Sequence, residues 1–149
     1  PPRRADRGRD EDRKESKVNM KNEYTLTVTI YAKAETIYKA WLSTEGHSAM
    51  TGSPAKVDGT VNGDFTAWDG YIWGMFLELE ENKRILQAWR TGEFPSEVED
   101  SIVEILLEEE KGITKLTLKH SNIPEGKAEN YKTGWEDFYF KPTQEYFGK

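Results

Sequence analysis

Cysteine is absent from this 149-residue chain. That removes disulfides, thiolate metal sites and cysteine nucleophiles. Histidine is scarce: His47 and His120 are the only two. Two isolated histidines without a thiol do not make a zinc site, so no metal is expected. No glycine-rich phosphate loop of the dinucleotide or P-loop spacing occurs, and no Gly-x-Ser-x-Gly elbow. No cofactor is implied. No apolar run approaches the length of a membrane span, and no signal peptide is visible. Together with the missing cysteine, this fits a cytoplasmic protein that does not engage membrane.

What the chain does have is charge, unevenly spread. Residues 1–17 carry seven Lys/Arg against five Asp/Glu, net +2, which leaves 14 basic and 22 acidic residues, net −8, on the rest. An acidic body is a poor match for a phosphate backbone, so nucleic acid is not expected as a partner. Arg3, Arg4, Arg7 and Arg9 alternate with acids and lack aromatic neighbours, the pattern of a solvated charged tail. The length is that of one domain plus a tail. Residues 1–22 read as disordered and 23–149 as one folded domain. Met20 is a candidate natural start, since structure-like sequence begins just after it.

The folded part opens with an alternating strand, Tyr24–Tyr31, with Tyr24, Leu26, Val28 and Ile30 on one face. Ala34–Leu42 is a short helix with Ile37, Tyr38 and Trp41 at helical spacing. Thr44–Ser53 is a second helical turn or a loop ending before Pro54. Val57–Phe65, broken by Gly59 and Gly63, reads as short strands and a tight turn. Four strand-like runs follow: Tyr71–Glu80, Lys83–Thr91, Val98–Glu108 and Ile113–Ser121. Asp69-Gly70 is a two-residue hairpin signal before the first of them. Period-two alternation places Tyr71, Trp73, Met75, Leu77 and Leu79 inward on that run. On the next it places Ile85, Gln87 and Trp89 inward. Val103, Ile105 and Leu107 follow on the third, and Leu116, Leu118 and His120 on the fourth. Lys127–Phe147 is one long helix carrying Tyr131, Trp135, Phe138, Tyr139 and Tyr146 at spacings of three and four. Pro142 predicts a kink or a boundary near Phe138–Lys141. Trp135 is the expected central anchor. The class is α+β: a curved antiparallel sheet wrapped around a long C-terminal helix, with two short helices after the first strand.

Such a sheet and helix enclose a space that either binds something or is filled by its own aromatics. Trp41, Trp68, Trp73, Trp89 and Trp135 are candidates for its wall, with Leu118, Phe138 and Tyr139. Trp68 sits near a hairpin end, where it would flank an entrance. Gln87 favours a cavity, because an inward amide needs a partner or water. His120 has two readings: a hydrogen-bonding group or base toward a ligand, or a core-edge histidine bonded within the fold. The structural reading is preferred, since no nucleophile or acidic partner sits at a suitable spacing. No residue is assigned as catalytic. His47 follows Gly46 in a loop without companions. Glu108-Glu109-Glu110 reads as a solvated hairpin end.

The same residues carry a family resemblance. Gly63-Asp64-Phe65, Asp69-Gly70-Tyr71-Ile72-Trp73-Gly74 and Arg84-Ile85-Leu86-Gln87-Ala88-Trp89-Arg90 form its centre. Ile113-Thr114-Lys115-Leu116-Thr117-Leu118, Asn122-Ile123-Pro124 and Gly134-Trp135-Glu136-Asp137-Phe138-Tyr139-Phe140 complete it. In order and spacing, over about residues 24–148, they resemble the carboxy-terminal domain of activators of the ninety-kilodalton heat-shock protein ATPase. That family belongs to the START-like, birch-pollen-allergen-like (SRPBCC) superfamily. The resemblance implies a helix-grip fold with a cavity between sheet and helix, and a chaperone partner. Full-length activators carry a separate amino-terminal domain that supplies much of their chaperone binding, and residues 1–23 are too short to be one. Strong ATPase activation is therefore not expected of this sequence alone. Two functions are expected in turn: a non-enzymatic domain binding a small apolar or amphipathic ligand, or a co-chaperone-like protein modulating the chaperone's ATPase. An enzyme of cyclase or hydrolase type is a distant third.

Overall fold

The computed structural model describes residues 22–148; the tail expected over residues 1–22 lies, Asn22 apart, outside them. The elements are β1 (Tyr24–Ile30), α1 (Ala34–Trp41), α2 (Thr44–Thr51), β2 (Lys56–Val57), β3 (Asp64–Ala67), β4 (Ile72–Glu80), β5 (Arg84–Thr91), β6 (Ser101–Glu110) and β7 (Ile113–Ser121). A continuous helix closes the chain: α3 (Ala128–Gly134), a π-helical segment (Trp135–Phe140) and α4 (Lys141–Phe147). The seven strands form one antiparallel sheet in the order β1-β7-β6-β5-β4-β3-β2. It is a curved, open sheet that grips the closing helix, the α+β arrangement expected.

The core is the face between sheet and helices. Leu26 and Ile30, Ile85, Val103 and Ile105, and Leu116 and Leu118 are buried from the sheet side. Ile37, Trp41, Tyr131, Trp135, Tyr139 and Phe140 meet them from the helices. α1 buries Ala34, Ile37, Tyr38 and Trp41, one helical stripe. Its first N–H is capped from across the molecule by the Glu109 carboxylate, at 2.9 Å, so one glutamate of the acidic hairpin end has a structural task. α2 is a true helix rather than a loop. Ser43 caps it by accepting from the Gly46 N–H, and Gly52 ends it at φ 81°, the left-handed stop that glycine supplies without strain.

The inward phase expected for β4 is wrong over its first half. Ile72 and Phe76 are buried there, while Trp73 is 40% exposed. The register slips between Phe76 and Glu78. Leu77 is thus the extra residue of a β-bulge, which turns Leu79 inward while Trp73 and Met75 stay in the opposite phase. Gly74 lies between the two inward residues. A Cβ there would sit 1.9 Å from the Ala88 carbonyl oxygen and 3.1 Å from the Phe65 ring, so only glycine lets β4 and β5 approach so closely.

Pro142 marks the start of α4, and the break expected near it takes a specific form. Proline has no N–H to return to Phe138 in α-helical register. The preceding turn widens, and the Lys141 N–H reaches the Glu136 carbonyl. The helix passes through a π-helical segment instead of ending.

Candidate functional site

The π-helical segment is held by both histidines of the chain. Near the end of β7, His120 lies directly opposite Tyr24 of β1. The Ser101 hydroxyl donates to the Trp89 carbonyl at 2.8 Å, so it accepts from His120 Nε2–H, also at 2.8 Å. That leaves a lone pair on His120 Nδ1, which accepts from the Trp135 indole N–H at 3.1 Å and the Tyr24 hydroxyl at 3.0 Å. Complete burial pushes His120 down to about 3, so it is a neutral hydrogen-bond hub near neutral pH. Burial raises Tyr24 well above the usual phenol range, the Trp135 hydrogen bond opposing it.

His47 forms the second attachment. Its Nδ1–H donates to the Trp41 carbonyl and its Nε2 accepts from the Tyr139 hydroxyl, each at 2.9 Å. Burial lowers it to about 4, opposed by the bond to Trp41. The loop placement expected for His47 is corrected: it lies inside α2 and is buried. Beside it, the Trp41 indole N–H donates to Gln87 Oε1 at 3.2 Å. The inward Gln87 amide, taken from the sequence as a sign of a cavity, has a tryptophan partner instead.

The space beyond these attachments is open. A cavity of about 240 Å³, opening to the surface, is lined almost wholly by apolar groups of Trp68, Tyr71, Ile72, Trp89, Tyr131, Gly134, Trp135, Phe138 and Tyr139. The Tyr131 hydroxyl is bonded to Thr91 at 2.7 Å. Burial, opposed by that bond, pushes Tyr131 up to about 12. Phe138 is 55% exposed and meets Trp68 edge-on, with ring centroids 5.4 Å apart.

The residues expected to line the cavity divide into three sets. Trp68, Trp89, Trp135, Phe138 and Tyr139 are on its wall. Trp41, Gln87, Leu118 and His120 are buried around the polar attachments and do not reach it. Trp73 is corrected: its side chain is on the outer face of the sheet, because β4 has the opposite phase ahead of the Leu77 bulge. The sequence reading missed Tyr71, Ile72, Tyr131 and Gly134 as cavity residues. Tyr131 was recoverable, since it precedes Trp135 by one helical turn; Ile72 was not, because its phase depends on the bulge. Among the described residues no cluster of His, Asp and Glu fits a metal ion, and no helix is long and apolar enough to cross a membrane.

Residues 31–148 match the family model "Activator of Hsp90 ATPase homolog 1-like protein". The human "Activator of 90 kDa heat shock protein ATPase homolog 1" is 28% identical over 124 residues, 83% of this chain and 36% of that protein. The chain thus spans about a third of the length of the curated relatives it matches. One of them is an uncharacterized Schizosaccharomyces pombe protein, 29% identical over 80% of this chain and 35% of its own. Among solved structures, an HSP90 activator from Plasmodium falciparum superposes with TM-score 0.78 at 26% identity, covering 85% of this chain and 96% of that one. CalU16 from Micromonospora echinospora, at 23% identity and TM-score 0.67 over 85% of this chain and 73% of that one, shares the fold.

Proposed function

The chain belongs to the family of Activator of Hsp90 ATPase homolog 1-like proteins, and within it we propose that this domain docks on the ninety-kilodalton heat-shock protein and modulates its ATPase. The observation that carries this reading is the similarity, over nearly the whole fold, to a protein described as an HSP90 activator. The domain acts by binding, without chemistry of its own. His120, its most base-like residue, is committed through both ring nitrogens to Ser101, Trp135 and Tyr24. The excess of acidic residues argues against a nucleic-acid partner, and the working place is the cytoplasm. Chaperone ATPase turnover with a tenfold excess of this chain tests the reading, alongside a calorimetric titration of the two proteins. Binding with altered turnover is the expected result. Neither binding nor a change in turnover refutes it.

The apolar cavity favours a second reading, a small hydrophobic ligand held between β4 and the closing helix. Affinity would come from apolar burial at roughly 25 cal/mol per Å².

A further inference from the structure

The sheet has two edges, and they are built differently. At one, β2 is only two residues long, Lys56–Val57, and carries a lysine. Short edge strands and edge lysines are means by which a sheet avoids pairing with a further strand. At the other edge, β1 runs for seven residues, Tyr24–Ile30, with no charge, no proline and no break in its register with β7. Its residues are mostly of the types that favour strands. Nothing within β1 blunts this edge.

The bonding pattern shows which groups the edge offers. Just before β1, the Asn22 carbonyl accepts from the Ile123 N–H beyond β7, so the backbone groups of even-numbered residues turn toward β7. Those of Thr25, Thr27 and Thr29 alternate with them and turn outward. Among the described residues, one side chain is bonded there: the exposed Gln144 amide donates to the Thr29 carbonyl at 3.0 Å, which leaves that oxygen a second lone pair. The three threonine side chains are exposed, opposite in phase to the buried Leu26 and Ile30. Beside Thr29 and Thr25 on that face, Lys115 and Lys119 of β7 stand opposite Glu108 and Glu104 of β6, so the strip is balanced and draws neither an acidic nor a basic strand. An uncharged strand fits it, and β1 is one. Laid antiparallel on a second β1 about a two-fold axis at Thr27, it sets Thr25 against the second copy's Thr29, and Thr27 against Thr27. Each outward N–H then meets an outward C=O in an isologous contact, and threonine opposes threonine throughout, a favourable cross-strand pair. We propose that the chain pairs with a second copy of itself through β1, joining two seven-stranded sheets into one. This goes beyond the chaperone and ligand readings and rests on neither.

One strand pair buries less than a standard interface, so the association is weak, with a Kd of about 0.1 mM, and shows only in a concentration series. The full chain is followed from about 5 μM to about 1 mM by sedimentation equilibrium and by backbone amide exchange, in about 0.3 M salt to screen the repulsion of two acidic bodies. The expected result is a mass that rises from one chain toward two. The Thr25, Thr27 and Thr29 amides exchange about fivefold more slowly at the top of the series, the factor by which the monomer is depleted. Thr27→Lys and Thr27→Glu each set like charges against one another at the axis and stay monomeric. Mixed in equal amounts, the two associate at least as well as the wild type. A wild-type chain still monomeric at the top of the series overturns the proposal. So do three amides that are equally slow at every concentration, which would mean that the edge is already paired within the chain. Undiminished association of either variant, or no recovery in their mixture, places the contact elsewhere and overturns it as well. If neither variant folds, the wild-type mass and amides decide alone.

Discussion

The closing helix meets two unlike regions of one concave face. Toward β1, β7 and α2, the polar atoms of its aromatic side chains are tied: Trp135 to His120 and Tyr139 to His47. Toward β3 and β4, the same two side chains turn ring surface to an open cavity, and the buried N–H of Trp68, a lining residue held at φ 51°, is untied among the described residues. Similar aromatics therefore serve as core in one region and as binding surface in the other. Hydrophobicity does not separate the two regions. Hydrogen-bond pairing and backbone strain do, and both are what a functional region is expected to leave unresolved.

The sharpest way to break this contrast is Trp135→Ala. The residue is 3% exposed and belongs to both regions, so its loss should cost about 3–5 kcal/mol. An unchanged thermal midpoint would show that the attachments do not hold the helix. Acid should act next, and only on the tied region. Both histidines titrate lower in the fold, to about 4 for His47 and about 3 for His120, than the ordinary 6.5. Below pH 6.5 the unfolded chain binds protons that the fold refuses, so stability is complete above 6.5 and falls as the pH drops toward 4. At pH 5 the loss is about 2 kcal/mol per histidine. Urea midpoints that stay level from pH 7 to 5 would mean that neither ring is held neutral. Gln87→Leu is the next smaller step. It removes the acceptor of the Trp41 indole and should cost about 1–3 kcal/mol by leaving that N–H unpaired, read by chemical denaturation. Phe138→Ala should be smallest, below about 1 kcal/mol, because more than half of the ring is exposed. A loss as large as that of Trp135→Ala would make the cavity rim part of the core.

The sequence displayed the strands better than the site. β5, β6 and β7 alternate without interruption, and their inward residues are those the period predicts. β4 has apolar residues in both phases, Ile72 and Phe76 as well as Trp73, Met75 and Leu77. Only the pairing with β5 reveals that Leu77 is extra, so Trp73 could not be placed from the period. His47 was unreadable for another reason. Its partners are a backbone carbonyl and a tyrosine hydroxyl 92 residues away, and neither leaves a spacing motif. Gln87 was correctly seen to need a partner, but Trp41 lies 46 residues earlier and nothing local links the two. Pro142 announced a break in the helix, and which register would absorb it depended on tertiary packing. At Trp68, the Asp69-Gly70 signal explained the turn so completely that a third left-handed residue had no visible sign.

The most direct test of the two-region account is the state of the five indole N–H groups in protein that has been unfolded and refolded free of co-purified molecules. The Trp41 and Trp135 protons should resonate downfield and exchange slowly, bonded to Gln87 and His120. The Trp68 proton should resonate upfield of both and exchange faster than either. A Trp68 proton as downfield and as protected as the other two would mean that it already has a partner within the fold. The cavity would then be a packing remainder rather than a place to bind.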